Sequence, residues 1–516
     1  MKSKNTFLPI LIFVISFITY SVSLDNDFVY DDYLAVKANP IITSLKNIPA
    51  IFSTDYWNTN NLELASLYRP LTILSYAINY SLSKYEPFSY HLFNIIIHGL
   101  NSVLLYFLLL SLFKNVNLAA ISSVFFAVLP VHSEAVISIV GRSELLSFFF
   151  VILSLILYNK YYEVNSTQKT YLLLSILSFF FALLSKENAV SLLLLLPLFT
   201  FCFVDKLNFR DFFQKLRSRL ILHYSGYIFI FIMYLVIRYF VLHKIFAQNI
   251  AFDDNPLVAE KSVITRFLTA FDVLNYYICL ILFPFILSAD YSYNQIPVIN
   301  SFLTNGLIIS VICILFLLII LIIKRKDYSV AFFSAFFFVG SYFVVSNIFF
   351  LTGTIMGERL VYLPSVGFCI LLGFIFNKAL ERFPRILSVT TAVVLVIIIS
   401  LYSFRITLRD KDWQDNFTFF EKLVQTSPNS AKAHLNYALS LKIKKKYDEE
   451  IRELEIALRI NPKDTIASIR LAEAFMKMNR LNDAEKVIVR AVQKNPDDES
   501  LLNLYSILKR KSETQN

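Results

Sequence analysis

The stretch YLLLSILSFFFALLSKENAVSLLLLLPLFTFCFV (171–204) is apolar from end to end except for Lys186-Glu187 at its middle. A bilayer core about 30 Å thick is crossed by roughly 20 apolar residues in a helix. The stretch therefore reads as two crossings, 170–184 and 188–204, joined by a charged turn. Ionisable groups at such a depth are costly, and each is a functional-site candidate by default.

The same pattern continues in both directions. Apolar runs fall at 7–24, 90–113, 118–137, 144–162, 221–242, 266–288, 302–323, 328–350, 360–377 and 386–404. The first follows Met1-Lys2-Ser3-Lys4. Ser21-Val22-Ser23 resembles a cleavage site, but so many later runs favour a retained span. The composition agrees: 56% of the 516 residues are hydrophobic, 17% are charged and 51 are Phe, more apolar surface than a soluble core can bury. Cys202, Cys279, Cys313 and Cys369 each sit in an apolar run without CxxC spacing, and read as small buried hydrophobes.

The net charge of +10 is explained by cytoplasmic loops. No basic-aromatic module accompanies it, so nucleic acid is not an expected partner. The basic segments DKLNFRDFFQKLRSRL (205–220), Lys324-Arg325-Lys326 and NKALERFPR (377–385) should share the cytoplasmic side. Counting back places the N-terminus inside and the loop 25–88 outside. Counting forward works only if 266–288 re-enters, or splits into two short crossings around Pro284. With either repair the C-terminus falls outside.

After Arg405 the character changes. Pro428, Pro462 and Pro496 recur every 34 residues, the tetratricopeptide period. Ala438 and Ala457 in one unit, and Ala472, Ala484 and Ala491 in the next, stand where paired helices must touch. Tyr437, Leu454, Leu471, Phe475 and Ile488 fill the larger packing positions. Segment 413–428 reads as a preceding half unit and 499–511 as a terminal helix. The expected fold class is thus all-α: a polytopic transmembrane bundle of about 11–13 spans over residues 1–405, then a tetratricopeptide-repeat α-solenoid over 406–516. Such arrays present a concave peptide-binding surface.

Several polar groups gather on the outer side of this topology. Asp31-Asp32 lie in FVYDDYLAVKANP (28–40); one is a candidate general base, and the pair reads equally as a divalent-cation ligand or a helix cap. VHSEAVISIVGRSELL (131–146) carries His132, Glu134, Arg142 and Glu144. Lys186-Glu187, Glu358-Arg359 in GERLVYLPS (357–365) and Arg69 in LYRPL (67–71) complete the set. Arg142, Lys186 and Arg359 together are candidates to hold a phosphate or pyrophosphate, for which the forked guanidinium is suited. Each also reads as a buried structural pair. His91 and His98, two helical turns apart, read as hydrogen-bonded packing residues rather than metal ligands. The amphipathic stretch IITSLKNIPAIF (41–52) is expected on the membrane surface beside the site. No P-loop, GxSxG or HExxH motif occurs, which removes support for a nucleotide-driven pump or a simple hydrolase.

Taken in order, FVYDDYLAVKANP, YRPLT, YHLFNIIIHGLNS, LPVHSEAVISIVGRSELL, LSKENAV and GERLVYLPSVGF resemble the transmembrane and tetratricopeptide-repeat (TMTC) family of protein O-mannosyltransferases over nearly the whole chain. The resemblance implies a type C glycosyltransferase fold using a polyprenyl- or dolichyl-phosphate sugar donor on the outer or lumenal face. It implies Asp31 or Asp32 as base, and Arg142, Lys186 and Arg359, with Arg69 nearby, at the donor phosphate. His132, Glu134, Glu144, Glu187 and Glu358 would order the pocket. The implied partners are membrane lipid, the lipid-linked sugar and an acceptor polypeptide held by the repeats, with no resident metal or cofactor assigned. The array is shorter than in the family's better-known members, and the Phe/Ile/Lys/Asn-rich composition suits a prokaryotic cell membrane. Alternatives are a transferase acting on a glycan or glycolipid, and a non-enzymatic scaffold. A transporter finds no inverted repeat here.

Overall fold

The computed structural model describes residues 7–58, 67–164, 166–245, 250–299, 307–382 and 384–515; the basic leader Met1–Lys4 lies outside them. Among the described residues the chain is helical, with one isolated β-bridge between Tyr293 and Ile296.

Helix α1 (Phe7–Tyr20) is prolonged by a tighter turn to Asp25. A short helical turn that opens with Asp31 and Asp32 and runs to Lys37 follows, then α2 (Ile48–Ser53) and α3 (Pro70–Ser83). The chain continues through α4 (Pro87–Phe113), α5 (Val116–Ala127), α6 (Ser133–Ile137), α7 (Arg142–Glu163), α8 (Lys169–Ser185) and α9 (Leu192–Phe199). Next come α10 (Phe209–Arg219), α11 (Ser225–Leu242), α12 (Val263–Leu282), α13 (Leu307–Ile323), α14 (Ser329–Tyr342), α15 (Ser365–Arg382) and α16 (Arg385–Asp410). Among the described residues seven helical stretches are long and apolar enough to cross a membrane, or eight if α5 and α6, bent by 49°, form one broken span. This makes the chain a multi-pass membrane protein. Three shorter apolar helices, 169–185, 314–323 and 329–345, accompany these stretches. Helix α8 stops at Ser185, where Lys186 adopts an extended backbone.

Helices α1, α4, α5, α7, α8, α14 and α15 enclose a common apolar core. Helix α15 sits close to its neighbours at two glycines: a Cβ at Gly367 would collide with the Ser334 carbonyl of α14, and one at Gly373 with the Ser122 hydroxyl of α5. Segment 41–52 forms short turns rather than one amphipathic helix. Ile41, Ile42 and Ile51 are buried in a cluster with Ile73 and Tyr76 of α3.

The irregular segment resolves into one uninterrupted helix. Helix α12 is not split; it ends just before Pro284, which has no N–H to continue it. The loop before it bonds to the repeats through Asp254–Lys432 and Asn461–Asp253. The loop after it does so through Ser288–Ser427 at 2.6 Å, and Arg405 near the end of α16 holds the Pro284 carbonyl at 3.0 Å. Both flanks of α12 therefore bond to the repeat domain. At the other end Arg325 donates to the Leu207 carbonyl at 2.8 Å and stacks on Phe209, so two of the basic loops meet there.

The last bundle helix runs through Arg405 to Asp410 and passes by a short turn into α17 (Asn416–Thr426). The helix pairs α18 (Ala431–Ile443) with α19 (Tyr447–Ile460), and α20 (Thr465–Lys477) with α21 (Leu481–Lys494), form the two repeats, closed by α22 (Glu499–Gln515). Ala438, Ala457, Ala472, Ala484 and Ala491 are buried together with Leu454, Leu471, Phe475 and Ile488. Tyr437 is only partly buried, and its ring lies 5.9 Å from that of Phe417 in α17. Side-chain oxygens of Asp415, Ser430 and Asp464 cap α17, α18 and α20, satisfying N–H groups that a helix start leaves bare.

Candidate active site

The charged residues singled out by sequence converge at the repeat-facing end of the bundle, but not in one cluster. The turn before α3 supplies Arg69, whose guanidinium grips Glu187 in a fork, Nε to Oε2 at 2.9 Å and Nη2 to Oε1 at 2.6 Å. The extended residue between α8 and α9 supplies Lys186, which pairs with Glu144 of α7. Asn188 donates to the other Glu144 oxygen at 2.8 Å. The loop before α15 supplies Arg359, whose Nη1 lies 3.2 Å from Glu134 and 3.9 Å from Asp31. The backbone N–H of Arg359 also donates to Glu134, at 2.8 Å.

Arg69, Lys186 and Arg359 lie close enough to act on one another electrostatically. Each is paired with a carboxylate, Glu187, Glu144 or Glu134, and Asp31 adds a fourth beside Arg359. Lys186 and Glu144 are almost sealed, whereas the Arg359 and Asp31 side chains keep 30% and 26% of their surface open. The loosely paired, partly open members of the cluster are therefore the guanidinium of Arg359 and the carboxylate of Asp31.

The two adjacent aspartates have separate environments. Asp32 is buried; it accepts the N–H of Val140 at 2.8 Å and of Val29 at 3.2 Å, and a long bond from the Ser138 hydroxyl. Burial pushes its carboxyl up to about 7, against the pull of those N–H groups. Asp32 ties the first loop to the turn before α7, while Asp31 faces the cations.

Arg142 stands apart from the cluster. Its guanidinium is fully buried and donates to Asn94 at 2.9 Å, Asn79 at 2.6 Å and the Tyr90 carbonyl at 2.8 Å, with longer contacts to Ser75. The rings of Tyr76 and Phe93 lie 4.8 and 4.5 Å from its carbon. These contacts join α3, α4 and α7. His132 is also buried, its Nδ1 against the Phe126 carbonyl at 3.0 Å and Nε2 against the Ser365 hydroxyl at 2.7 Å. Glu358 turns away from Arg359: one oxygen accepts the Ser288 N–H at 2.6 Å and the Tyr291 hydroxyl at 2.8 Å. Its other oxygen has no hydrogen-bond partner among the described residues. Burial pushes this carboxyl up to about 8, so at neutral pH it is largely protonated.

His98 bonds the Tyr362 hydroxyl at 2.7 Å and the Ala127 carbonyl at 3.1 Å. His91 is buried without a partner among the described residues. No group of three or more His, Cys, Asp or Glu among the described residues is arranged to hold a metal ion. A cavity of about 420 Å³ near Asn115, Asp327, Asn377 and Glu381 lies at the opposite end and takes no part in this cluster. Sequence reasoning missed Asn79 and Asn94, which carry Arg142, and Tyr277, whose hydroxyl bonds both the N–H and the carbonyl of Gly357 at 2.9 Å. Uncharged residues inside apolar helices give no signal until their partners are known.

The model for "Protein O-mannosyl-transferase TMTC, DUF1736" matches residues 248–318, which include α12 and both its flanking loops, and a tetratricopeptide-repeat model matches 443–508. The human protein O-mannosyl-transferase TMTC3 is 29% identical over 92% of this chain and 53% of its own length. Protein O-mannosyl-transferase F38B6.6 of Caenorhabditis elegans is 30% identical over 83% of this chain and 59% of its own. Human protein O-mannosyl-transferase TMTC4 is 30% identical over 83% and 63%. The chain thus spans little more than half the length of these relatives. No solved structure matches it. Along most of its own length, then, this chain is a relative of the transmembrane and tetratricopeptide-repeat (TMTC) proteins.

Proposed function

We propose that the chain is a membrane glycosyltransferase of type C that moves a sugar, mannose by its relatives' names, from a polyprenyl- or dolichyl-phosphate donor to a Ser or Thr hydroxyl of a protein. The observation that carries this reading is the pairing of a partly open carboxylate, Asp31, with a partly open guanidinium, Arg359, 3.9 Å apart beside two further cations.

The donor enters sideways from the bilayer, its phosphate resting against Arg359, with Lys186 and Arg69 behind it. These cations offset the charge that grows on the phosphate oxygen as the bond from the anomeric carbon breaks. Asp31 takes the proton of the acceptor hydroxyl, whose oxygen forms the new bond to that carbon from the opposite side. The electron pair leaves with the polyprenyl phosphate, and the anomeric centre inverts. Glu134, Glu144 and Glu187 hold the three cations in register. Asp32, Arg142 and His132 fix the elements that carry them, and Glu358 ties the Arg359 loop to the Ser288 turn. The repeats hold the acceptor segment above the cluster. The basic loops lie at the far end of the bundle, so the positive-inside tendency puts cluster and repeats on the outer or lumenal side and the N-terminus in the cytoplasm.

The test is transfer from radiolabelled polyprenyl-phosphate mannose to a Ser/Thr-rich peptide by the purified chain, beside an Arg359→Gln variant. The reading expects transfer by the parent and a fall on the order of a hundredfold or more in the variant. Equal rates would refute it, as would tight donor binding without transfer to any hydroxyl acceptor.

A further inference from the structure

We infer that the repeat domain positions the base-bearing loop itself, through Asn416 acting on Tyr30, in addition to holding the acceptor. The inference rests on the proposed role of Asp31.

Tyr30, the residue before Asp31, has φ of +56°, a left-handed conformation that a bulky side chain rarely adopts unless its surroundings impose it. Those surroundings come from the repeat domain. The Tyr30 backbone N–H donates to Asn416 Oδ1 at 2.8 Å. Its ring stacks on Phe419 and meets Phe420 edge-on, both with centroids 5.7 Å away. Lys432 of the first full repeat sits 5.7 Å over the same ring while paired with Asp254 in the loop before α12. Three repeat-domain features thus grip the residue that leads into the helical turn carrying both carboxylates. Asp32 is then fixed by Val140, and Asp31 is left toward Arg359.

The clamp is also anchored. Trp413 packs on Phe419 with centroids 4.6 Å apart, and the Asp27 N–H donates to the Gln414 carbonyl at 2.9 Å. Helix α17 is therefore held to the end of α16 and to the first loop together. A change in the seating of the repeats reaches Asp31 through one intervening residue. Asn416 is a positioning residue on this reading, since it touches neither donor nor acceptor.

The experiment uses the full chain in lipid nanodiscs with polyprenyl-phosphate mannose and a Ser/Thr-rich peptide. Asn416→Leu removes the acceptor of the Tyr30 N–H. Asn416→Asp restores one, at a helix start where a carboxylate is welcome. The expected result is a fall in kcat on the order of a hundredfold for Asn416→Leu, the cost of a misplaced reacting group, with donor Kd and peptide KM unchanged. Amide exchange across residues 28–33 should speed up in the same variant, and both effects should be reversed in Asn416→Asp. A parent-like kcat and exchange for Asn416→Leu would overturn the inference. So would a raised peptide KM with unchanged kcat, which would make the repeats an acceptor receptor only. A parent that transfers no sugar, whatever its exchange pattern, would bring down the proposed function and this inference together.

Discussion

Arg142 gives the sharpest test of how the charged residues divide between scaffold and site. Its guanidinium makes three short bonds, to Asn94, Asn79 and the Tyr90 carbonyl, and lies against aromatic rings. A hydrogen bond to a charged group contributes about 1.5–3 kcal/mol, and a desolvated cation on an aromatic face about 2 kcal/mol. These do not add fully. Replacing Arg142 with Met keeps the volume and abandons three buried acceptors, so the expected loss of stability is on the order of 5 kcal/mol. Arg142→Lys keeps the charge but not the fork and should lose roughly half of that. Unfolding of the purified protein by SDS titration in mixed micelles reads the loss, and donor-phosphate affinity is measured on the folded fraction. A stability within about 1 kcal/mol of the parent, combined with lost donor affinity, would refute the argument and make Arg142 a ligand.

The Glu358 carboxyl is raised from its ordinary 4.5 to about 8 by burial. Its contribution to stability is therefore complete below about 4.5 and is lost as pH rises through about 8; Glu358→Gln should flatten the fall in melting temperature between pH 5 and 9, and parallel curves would contradict this. Lys186→Ala strands the buried Glu144 charge and should cost about 3–5 kcal/mol, of which adding Glu144→Gln should recover more than half; additive losses would mean that the two do not form a pair. Gly367→Ala forces α14 away from α15 at Ser334 and should cost about 1–3 kcal/mol, read by the same SDS titration; no change would mean that the two helices adjust freely.

Much of the architecture was legible because the bilayer and the repeat impose strong periods. Apolar runs near 20 residues and prolines 34 apart each leave few competing readings. The span count was less legible, since helix α8 stops at Lys186, where the chain is committed to a charge pair instead of length. The segment around Pro284 could be recognised as irregular from the basic loops alone. The bonds of its flanks to Lys432 and Ser427, well over a hundred residues later, leave no trace in the local sequence. The candidate site residues stood out as charges in apolar surroundings, while the way they group did not. Asp31 and Asp32 are chemically identical neighbours, and what separates them is the Val140 N–H that holds Asp32 and the Arg359 guanidinium beside Asp31. Arg142 obeys the rule that charge near a bilayer is functional only in part: dispersed Asn79 and Asn94 neutralise its cost, and single amides in apolar helices announce nothing.

The central claim is that Asp31 is the base, and the most direct measurement compares Asp31→Asn with Asp32→Asn in sugar transfer from polyprenyl-phosphate mannose, each checked for folding and donor binding. The account expects Asp31→Asn to bind donor and fold as the parent does while kcat falls by on the order of 10²–10⁴. It expects Asp32→Asn to lose less activity and to show its damage first in stability. Parent-like transfer by Asp31→Asn, or loss confined to a folded Asp32→Asn, would contradict it.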